Sequence, residues 1–165
     1  MNFLELEGGI MQGIIIENIA NLYRVSPLTP GTSGDKIYEA TARGKFKKEE
    51  ISPVVGDFVE FEITDEEKKK AVINQILDRK VYVKRPKLAN ITQIVFVVSS
   101  KDPKPDLLML DKQLAFAEFL GIKSLIVLNK TDLDSKKQFK RIREIYENIG
   151  YDVIETEAKN QKGID

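Results

Sequence analysis

The chain has 165 residues, of which 42% are hydrophobic, and this is enough apolar material for one large core or two small ones. Lysine plus arginine and aspartate plus glutamate both number 26, so the formal net charge of zero excludes a globally basic nucleic-acid binder and leaves only local basic surfaces. The absence of cysteine and histidine excludes disulfides, thiolate nucleophiles, imidazole bases and the usual zinc ligands within this chain. Any chemistry must therefore use carboxylates, lysine, hydroxyls or backbone groups.

The first ten residues, MNFLELEGGI, are acidic and have neither a basic start nor a long apolar run. They resemble neither a secretion signal nor a membrane anchor. Residues 1–10 are typical of a leader or tag, with Met11 as an alternative natural start. We expect a soluble cytoplasmic protein with no membrane partner.

Residues 11–85 consist of short apolar runs separated by turns, which is typical of small antiparallel strands. A Pro, Gly and Ser/Thr-rich loop at 26–35 and a charged hairpin tip at 65–70 interrupt the pattern. The expected strands lie near residues 14–16, 22–25, 36–44, 54–63 and 71–77. About five short strands favour a closed, all-β barrel of the OB or SH3-like type.

The fourth of these strands alternates most clearly between apolar and charged side chains. Val59, Phe61 and Ile63 fall on one face, and Glu60 and Glu62 fall on the other. We expect a sheet with one buried and one solvated face.

The hydrophobic period changes after a linker at residues 86–92. Residues 91–100 form a nearly continuous β-branched run, which is typical of a strand buried on both faces of a parallel sheet. The alternation of strands near 91–100, 124–129 and 151–158 with two amphipathic helices predicts a partial α/β domain with three parallel strands at 93–165. The first helix is expected to end at Gly121 and to bury Leu107, Leu110, Leu114 and Ala117. The second is expected to end at Gly150 and to bury Phe139, Ile142, Ile145 and Ile149.

The segment LNKTDL, residues 128–133, follows the middle parallel strand, where such sheets place ligands. The carboxylate of Asp132 could accept two parallel hydrogen bonds from guanine N1–H and its exocyclic amine, and adenine would leave it unpaired. The Asn129 amide could donate to the purine or brace a neighbouring loop, and the stem of Lys130 could lie along the ring. The alternative is a polar turn in which Asp132 or Asp134 caps the next helix.

One strand later, ETEAKNQKG at residues 155–163 again leaves the carboxyl end of a strand. The backbone N–H of Ala158 could donate to guanine O6, and Lys159 could flank the base. Taken alone, this segment is equally an ordinary exit from a strand into a loop.

A basic cluster surrounds Phe46 at the expected exit of a barrel strand and consists of Arg43, Lys45, Lys47 and Lys48. Such a cluster can bind RNA phosphates while a ring stacks on a base. The alternative is a solvated face balanced by two glutamates, with the ring inside the barrel. A second basic run at residues 79–87 is equally readable as a strap between domains.

The motifs NKTDL and EAKNQKGID resemble the last two guanine-recognition motifs of Ras-like GTPases, yet no G-x-x-x-x-G-K-[ST] loop occurs in the chain. Together with RGKF, VGD and RPKLAN ahead of them, the layout resembles the circularly permuted GTPases of the RsgA/YjeQ family. The resemblance implies an OB domain, then the guanine-reading motifs, then a phosphate loop, switch motifs and a zinc domain located after Asp165. It also implies that Phe46 is structural.

For function, the resemblance implies a GTPase that is stimulated by the small ribosomal subunit, binds 16S rRNA and GTP or GDP, and acts in subunit maturation. It places any Mg²⁺ or Zn²⁺ in the missing C-terminal portion, so we expect no catalytic residue, no metal site and no GTP hydrolysis in this fragment. Where the family has serine, this chain has Glu157, which adds a charge beside the expected pocket. The alternative function is a non-enzymatic OB-fold RNA-binding translation or ribosome factor.

If the sheet holds only three strands in Ras-like order, residues 94–98 lie at an open apolar edge. We therefore expect the fragment to self-associate or to be only marginally stable in its second half.

Overall fold

The computed structural model describes residues 9–28, 36–44, 46, 52–134 and 137–164. The chain divides into two compact units, Met1–Ile91 and Thr92–Asp165. The expected leader, apart from its last two residues, and most of the expected loop at 26–35 lie outside the described residues. The segment 86–92, expected to be a linker, contains a short strand that belongs to the first unit.

The first unit is a closed five-stranded barrel in the order β1-β2-β3-β5-β4, as the sequence predicted. The strands β3 and β5 pair in parallel, and the other neighbours pair antiparallel. Ala20 and Asn21, both with positive φ, form the tight turn between the first two strands. The strands are β1 Ile10–Ile19, β2 Leu22–Pro27, β3 Tyr38–Ala42, β4 Phe58–Asp65 and β5 Lys70–Ile76.

Alternation along the strands builds the barrel core. Val59 and Phe61 of β4 are fully buried and Ile63 is partly buried, so the predicted inner face of this strand is confirmed. At Gly13 of β1 any Cβ atom would lie 2.6 Å from Val25 and 2.8 Å from Phe61, so the core has room only for glycine there. The other fully buried positions include Ile15, Tyr23, Val25, Tyr38 and Ile73.

A hairpin of β6 Tyr82–Lys84 and β7 Lys87–Ala89 is fastened to the barrel. The buried carboxylate of Asp57 accepts hydrogen bonds from Arg79 Nε at 2.7 Å, Arg79 Nη2 at 2.8 Å and the Val54 N–H at 2.8 Å. Asn90 donates from Nδ2 to the Gly56 carbonyl at 3.0 Å. We call this set, Asp57, Arg79, Gly56 and Asn90, the latch; it explains the VGD and RPKLAN motifs as structural elements.

The second unit has three parallel strands in the order β10-β9-β8, which confirms the predicted topology. Its elements are β8 Gln93–Ser99, α1 Leu107–Phe119, β9 Lys123–Asn129, α2 Gln138–Asn148 and β10 Asp152–Thr156. Asp106 caps α1 through the Met109 N–H, and Gly121 follows the helix with φ of 67°. Strand β8 lies at the sheet edge, as expected.

Both helices contribute to one core on a single face of this sheet. Leu110 and Leu114 of α1 and Phe139 and Ile142 of α2 pack with Ile126 of β9. The predicted inner face of α1 is confirmed, with Leu107 only partly buried.

Two expectations about burial in this unit are wrong. Strand β8 is not buried on both faces, because Val95 and Val97 are 48% and 62% exposed on the face away from the helices. In α2 the third buried residue is Tyr146, while Ile145 and Ile149 are exposed. The tyrosine is buried because its hydroxyl donates to Asp111 Oδ1 of α1 at 2.7 Å. None of the helices in the described ranges is long and apolar enough to cross a membrane.

Candidate guanine-binding site

The carboxyl ends of the three parallel strands are in register. Ser99 of β8 and Thr156 of β10 both pair with Asn129 of β9. The two segments expected to read a base therefore leave the sheet side by side, at the edge where parallel sheets place ligands.

Asn129 links these two segments through its side-chain oxygen. Asn129 Oδ1 accepts hydrogen bonds from Thr156 Oγ1 at 3.0 Å and from the Ala158 N–H at 3.1 Å. The amide thus braces the neighbouring loop, one of the two roles that the sequence left open. In the described part of the chain nothing accepts from Asn129 Nδ2, so this donor is available to a purine acceptor.

The Ala158 N–H, which we expected to donate to guanine O6, donates to Asn129 in this structure. Ala158 begins the 3-10 turn Ala158–Asn160 and is exposed, as is Lys159. A base could reach this donor only by sharing it with Asn129 or displacing the present bond.

Lys130 connects the site to the loop between β8 and α1. It has a left-handed backbone, and its Nζ donates to the carbonyls of Lys101 at 3.1 Å and Asp102 at 2.6 Å. Ser100 Oγ donates to the Lys130 carbonyl at 2.6 Å. Sequence reasoning missed this loop, because no local pattern marks backbone carbonyls as partners of a distant lysine.

Asp132 and Asp134 have different roles. Asp134 caps α2, with Oδ1 accepting from the Gln138 N–H at 3.1 Å and Oδ2 accepting from the Phe139 N–H at 3.0 Å. Asp132 lies in the 3-10 turn Thr131–Leu133, is exposed, and makes no hydrogen bond or ion pair with any described residue. The capping alternative therefore applies to Asp134, and Asp132 has no structural partner that accounts for it.

Glu157, the residue that departs from the family pattern, is partly buried and has partners within its own loop. Its carboxylate pairs with Lys162 Nζ at 2.9 Å and accepts from Asn160 Nδ2 at 3.1 Å and Thr131 Oγ1 at 3.5 Å. The contacts with Lys162 and Asn160, in that order, hold the pKa of this carboxyl below its ordinary value. The added negative charge is compensated within its own loop.

The candidate RNA-binding residues are only partly described. Arg43 is exposed and pairs with Glu62 at 3.5 Å, while Lys45, Lys47 and Lys48 lie outside the described residues. Phe46 is 6% exposed and belongs to the barrel core, which confirms its structural role. In the second basic run, Arg79 belongs to the latch, where its guanidinium donates to Asp57.

Family models match almost the whole chain. The model of the RsgA N-terminal domain matches residues 12–73, and the model of the RsgA GTPase matches residues 76–165. The chain belongs to the RsgA family. The boundary between the two matches, at residues 73–76, falls at the end of β5, ahead of the hairpin that the structure places in the first unit.

Individual relatives agree with this assignment. The chain is 37% identical over 154 residues to the small ribosomal subunit biogenesis GTPase RsgA of Alkaliphilus metalliredigens, covering 93% of this chain and 51% of the relative. It is 40% identical over 151 residues to the protein of the same name from Ruminiclostridium cellulolyticum, covering 92% and 48%. The chain spans about half the length of these curated relatives.

Solved structures agree as well. The crystal structure of YjeQ from Thermotoga maritima superposes with a TM-score of 0.78 at 30% identity, over 94% of this chain and 54% of that one. The structure of YloQ, described as a circularly permuted GTPase, gives 0.75 at 31% identity, over 94% and 55%. The order of barrel and parallel sheet found here is therefore the order in these proteins.

Proposed function

We propose that this chain is the N-terminal part of a ribosome-associated GTPase that acts in small ribosomal subunit maturation, and that its parallel sheet reads the guanine of GTP or GDP. The relatives that it matches are named as small ribosomal subunit biogenesis GTPases. Because the chain contains no G-x-x-x-x-G-K-[ST] loop, we do not expect it to hydrolyse GTP by itself.

The state of Asp132 carries the proposal. Its carboxylate is exposed and without a described partner at the carboxyl edge of the sheet, while the neighbouring Asp134 performs the helix capping. In the proposed complex, Asp132 accepts from guanine N1–H and the exocyclic amine, Asn129 Nδ2 donates to the imidazole side of the purine, and Ala158 N–H donates to O6. Lys130 and Lys159 flank the ring.

The test is a titration of the ¹⁵N-labelled chain with guanosine monophosphate and with adenosine monophosphate. Without a phosphate loop we expect weak guanine binding, on the order of 1 mM or about −4 kcal/mol. The backbone amide resonances of Asn129, Asp132 and Ala158 should change position on addition of the guanine nucleotide and not on addition of the adenine nucleotide. Equal shifts with both nucleotides, or shifts elsewhere, would contradict the proposed site.

The variant Asp132→Asn sharpens this test. Xanthine has a carbonyl where guanine has the exocyclic amine, so an amide can donate to it while still accepting from N1–H. We expect the variant to lose its preference for guanosine monophosphate and to gain one for xanthosine monophosphate. Asp152→Asn, on the same sheet at the opposite strand end, is the matched control and should leave the preference unchanged.

We also propose that the barrel binds 16S rRNA through Arg43, Lys45, Lys47 and Lys48, in the cytoplasm. The support is the name of the relatives and the position of Arg43 just after β3. Reversing these four charges should weaken RNA binding and flatten its salt dependence, because each phosphate contact releases counterions. RNA binding by a chain that shows no guanine preference would favour the alternative, a non-enzymatic OB-fold factor.

Metal ions enter this proposal only outside the present chain. No group of three potential metal ligands occurs among the residues that the structure describes. We assign Mg²⁺ and Zn²⁺ to the part of the relatives that this chain does not match, and recognition of the base through hydrogen bonds requires neither.

Finally, we propose that the chain by itself associates through β8. This strand is at the sheet edge, and Val95 and Val97 expose apolar surface beside it. An unpaired apolar edge offers both backbone partners and buried area to a second copy.

A further inference from the structure

The loop that carries the Ala158 donor is closed on itself. The Glu157 N–H donates to the Lys162 carbonyl at 3.0 Å and the Lys162 N–H donates back to Glu157 at 3.3 Å, while the Asn160 N–H donates to the same Glu157 carbonyl at 2.8 Å. Gly163 then returns the chain against β10 with φ of 70°, where a Cβ atom would lie 2.5 Å from the Glu155 carbonyl. The loop thus has a defined path fixed by backbone bonds at its base.

The Glu157 carboxylate connects this loop to the other recognition segment. One oxygen faces Thr131 Oγ1 at 3.5 Å, and the second accepts from Asn160 and pairs with Lys162. The side chain is 18% exposed, whereas that of Lys162 is 70% exposed, so the lysine reaches in from solvent to a carboxylate held in place. Donors from both recognition segments thus lie within hydrogen-bonding distance of this one carboxylate.

Thr131 belongs to the turn that carries Asp132, and its hydroxyl also lies 3.4 Å from the Thr156 carbonyl. The carboxylate therefore sits between the segment that reads the base edge and the segment that offers the Ala158 N–H. A serine at position 157 is too short to reach Thr131, Asn160 and Lys162 together.

We propose that Glu157 is a positioning residue, whose carboxylate joins the Ala158 loop to the Thr131 turn and holds the two guanine-reading segments in a fixed relation. Its role in nucleotide binding rests on the proposed function. The negative charge of Glu157 should not repel the nucleotide, because Lys162 of the same loop forms an ion pair with it.

The first experiment needs no nucleotide: amide hydrogen exchange of Ala158 and Lys162 in the unliganded chain. Glu157→Gln keeps the side-chain shape and removes the charge, Lys162→Met removes the cation, and Glu144→Gln is an exposed glutamate control. We expect exchange at both amides to accelerate threefold or more in the first two variants and to be unchanged in the control, with exchange in β9 unaffected in all three. Unchanged protection in Glu157→Gln and Lys162→Met would overturn the proposal.

A pH profile separates positioning from general support of the fold. The pKa of Glu157 is lowered in the folded chain, so its contribution is complete above the ordinary carboxyl pKa and is lost as the pH falls through the lower folded value. After correction for intrinsic exchange, protection of Ala158 should decline in that acidic window in the native chain. Glu157→Gln should show no such step; a step of the same size in that variant would contradict the assignment.

The second experiment is guanosine monophosphate binding. We expect Glu157→Gln and Glu157→Ser to bind it threefold or more weakly with unchanged discrimination against adenosine monophosphate, since Asp132 is untouched. Tighter binding in either variant would show that the charge repels the nucleotide and would refute the positioning role. If no variant binds guanine nucleotide while the exchange pattern holds, the proposed function fails and the loop assignment stands.

Discussion

Removal of the Asp57 carboxylate should destabilise the barrel selectively. Asp57 is fully buried and meets Arg79 in a bidentate pair at 2.7 and 2.8 Å, with a third hydrogen bond from the Val54 N–H at 2.8 Å. Asp57→Ala leaves that N–H without its partner and the guanidinium with only the Ser52 carbonyl and the face of the Tyr82 ring. Breaking a buried pair costs about 3–5 kcal/mol. Because the Arg79 side chain is 21% exposed and can recover some hydration, we expect about 3 kcal/mol.

Urea titration followed by individual amide resonances measures this loss in each unit separately. Ile15 and Ile73 report on the barrel, and Ile126 and Leu128 report on the parallel sheet. With a slope of about 1–3 kcal/mol per molar urea, the barrel midpoint should fall by about 1–3 M. Asp57→Asn, which keeps the shape and one acceptor, should lie between Asp57→Ala and the native chain.

A double-mutant cycle with Arg79→Ala isolates the pair itself. We expect a coupling energy of at least about 1.5 kcal/mol, since the two side chains share two short hydrogen bonds. An unfolding free energy of the barrel within about 1 kcal/mol of the native value for Asp57→Ala would refute the reasoning. So would an equal shift of the sheet resonances, because the latch residues all belong to the first unit.

Three further outcomes can be checked. Gly56→Ala should destabilise the barrel by more than about 2 kcal/mol, because φ at Gly56 is 89° and a Cβ atom there would lie 1.9 Å from the Ala89 carbonyl oxygen. Gly44→Ala is the control: its Cβ atom would meet no atom within 4 Å, so it should be nearly neutral in the same urea titration. Tyr146→Phe should cost about 1–3 kcal/mol near neutral pH through loss of the bond to Asp111. Burial first, and then Asp111, raise the pKa of Tyr146, so this advantage of tyrosine should persist below pH 10 and disappear as the unfolded chain ionises above it; a pH-independent difference would contradict the assignment. Light scattering during size-exclusion chromatography should show that the native chain associates as its concentration rises. Val97→Lys should reduce this association, and Ile19→Lys, at an equally exposed position in the barrel, should not. A native chain that is monomeric at every concentration would exclude association through β8.

The parts of the fold that follow from local periodicity were predictable from sequence. Alternation placed Val59 and Phe61 inside the barrel, and the apolar repeat placed Leu110 and Leu114 in the core of the second unit. The parallel order of three strands followed from the alternation of strand and helix. These signals depend on near neighbours in the chain, which is why they survive without knowledge of tertiary contacts.

Predictions that needed knowledge of tertiary contacts were less successful. The β-branched run of β8 is compatible with burial on both faces, but nothing in the sequence shows what lies against Val95 and Val97. Tyr146 was overlooked as a core residue because its hydroxyl requires a partner, and that partner, Asp111, is 35 residues away. The latch between Asp57 and Arg79 was unpredictable for the same reason, since charged residues are frequent and their pairing carries no local signature.

For the candidate site, the sequence predicted which two segments lie at the carboxyl edge of the sheet, but not the hydrogen bonds between them. The spacing of Asn129, Lys130 and Asp132 predicts a guanine site at the carboxyl end of β9, and this stays a prediction. The structure shows that Asp134 has the capping role that the sequence left open between Asp132 and Asp134. That Asn129 would hold the Ala158 N–H, and that Lys162 would balance Glu157, required the two strands to be seen side by side.

Because the carboxyl ends of β8, β9 and β10 are in register, insertions and deletions within these strands should disturb the candidate site. Side chains alternate between the two faces of a strand, so deleting one residue from β9 would turn Asn129 from its present face to the face covered by the helices, where Leu128 now lies. Thr156 would then have no partner at the same level of the sheet. Insertions and deletions within Lys123–Asn129 should therefore be far less acceptable than substitutions there, and the number of residues in this strand is as much a part of the site as the amide that ends it.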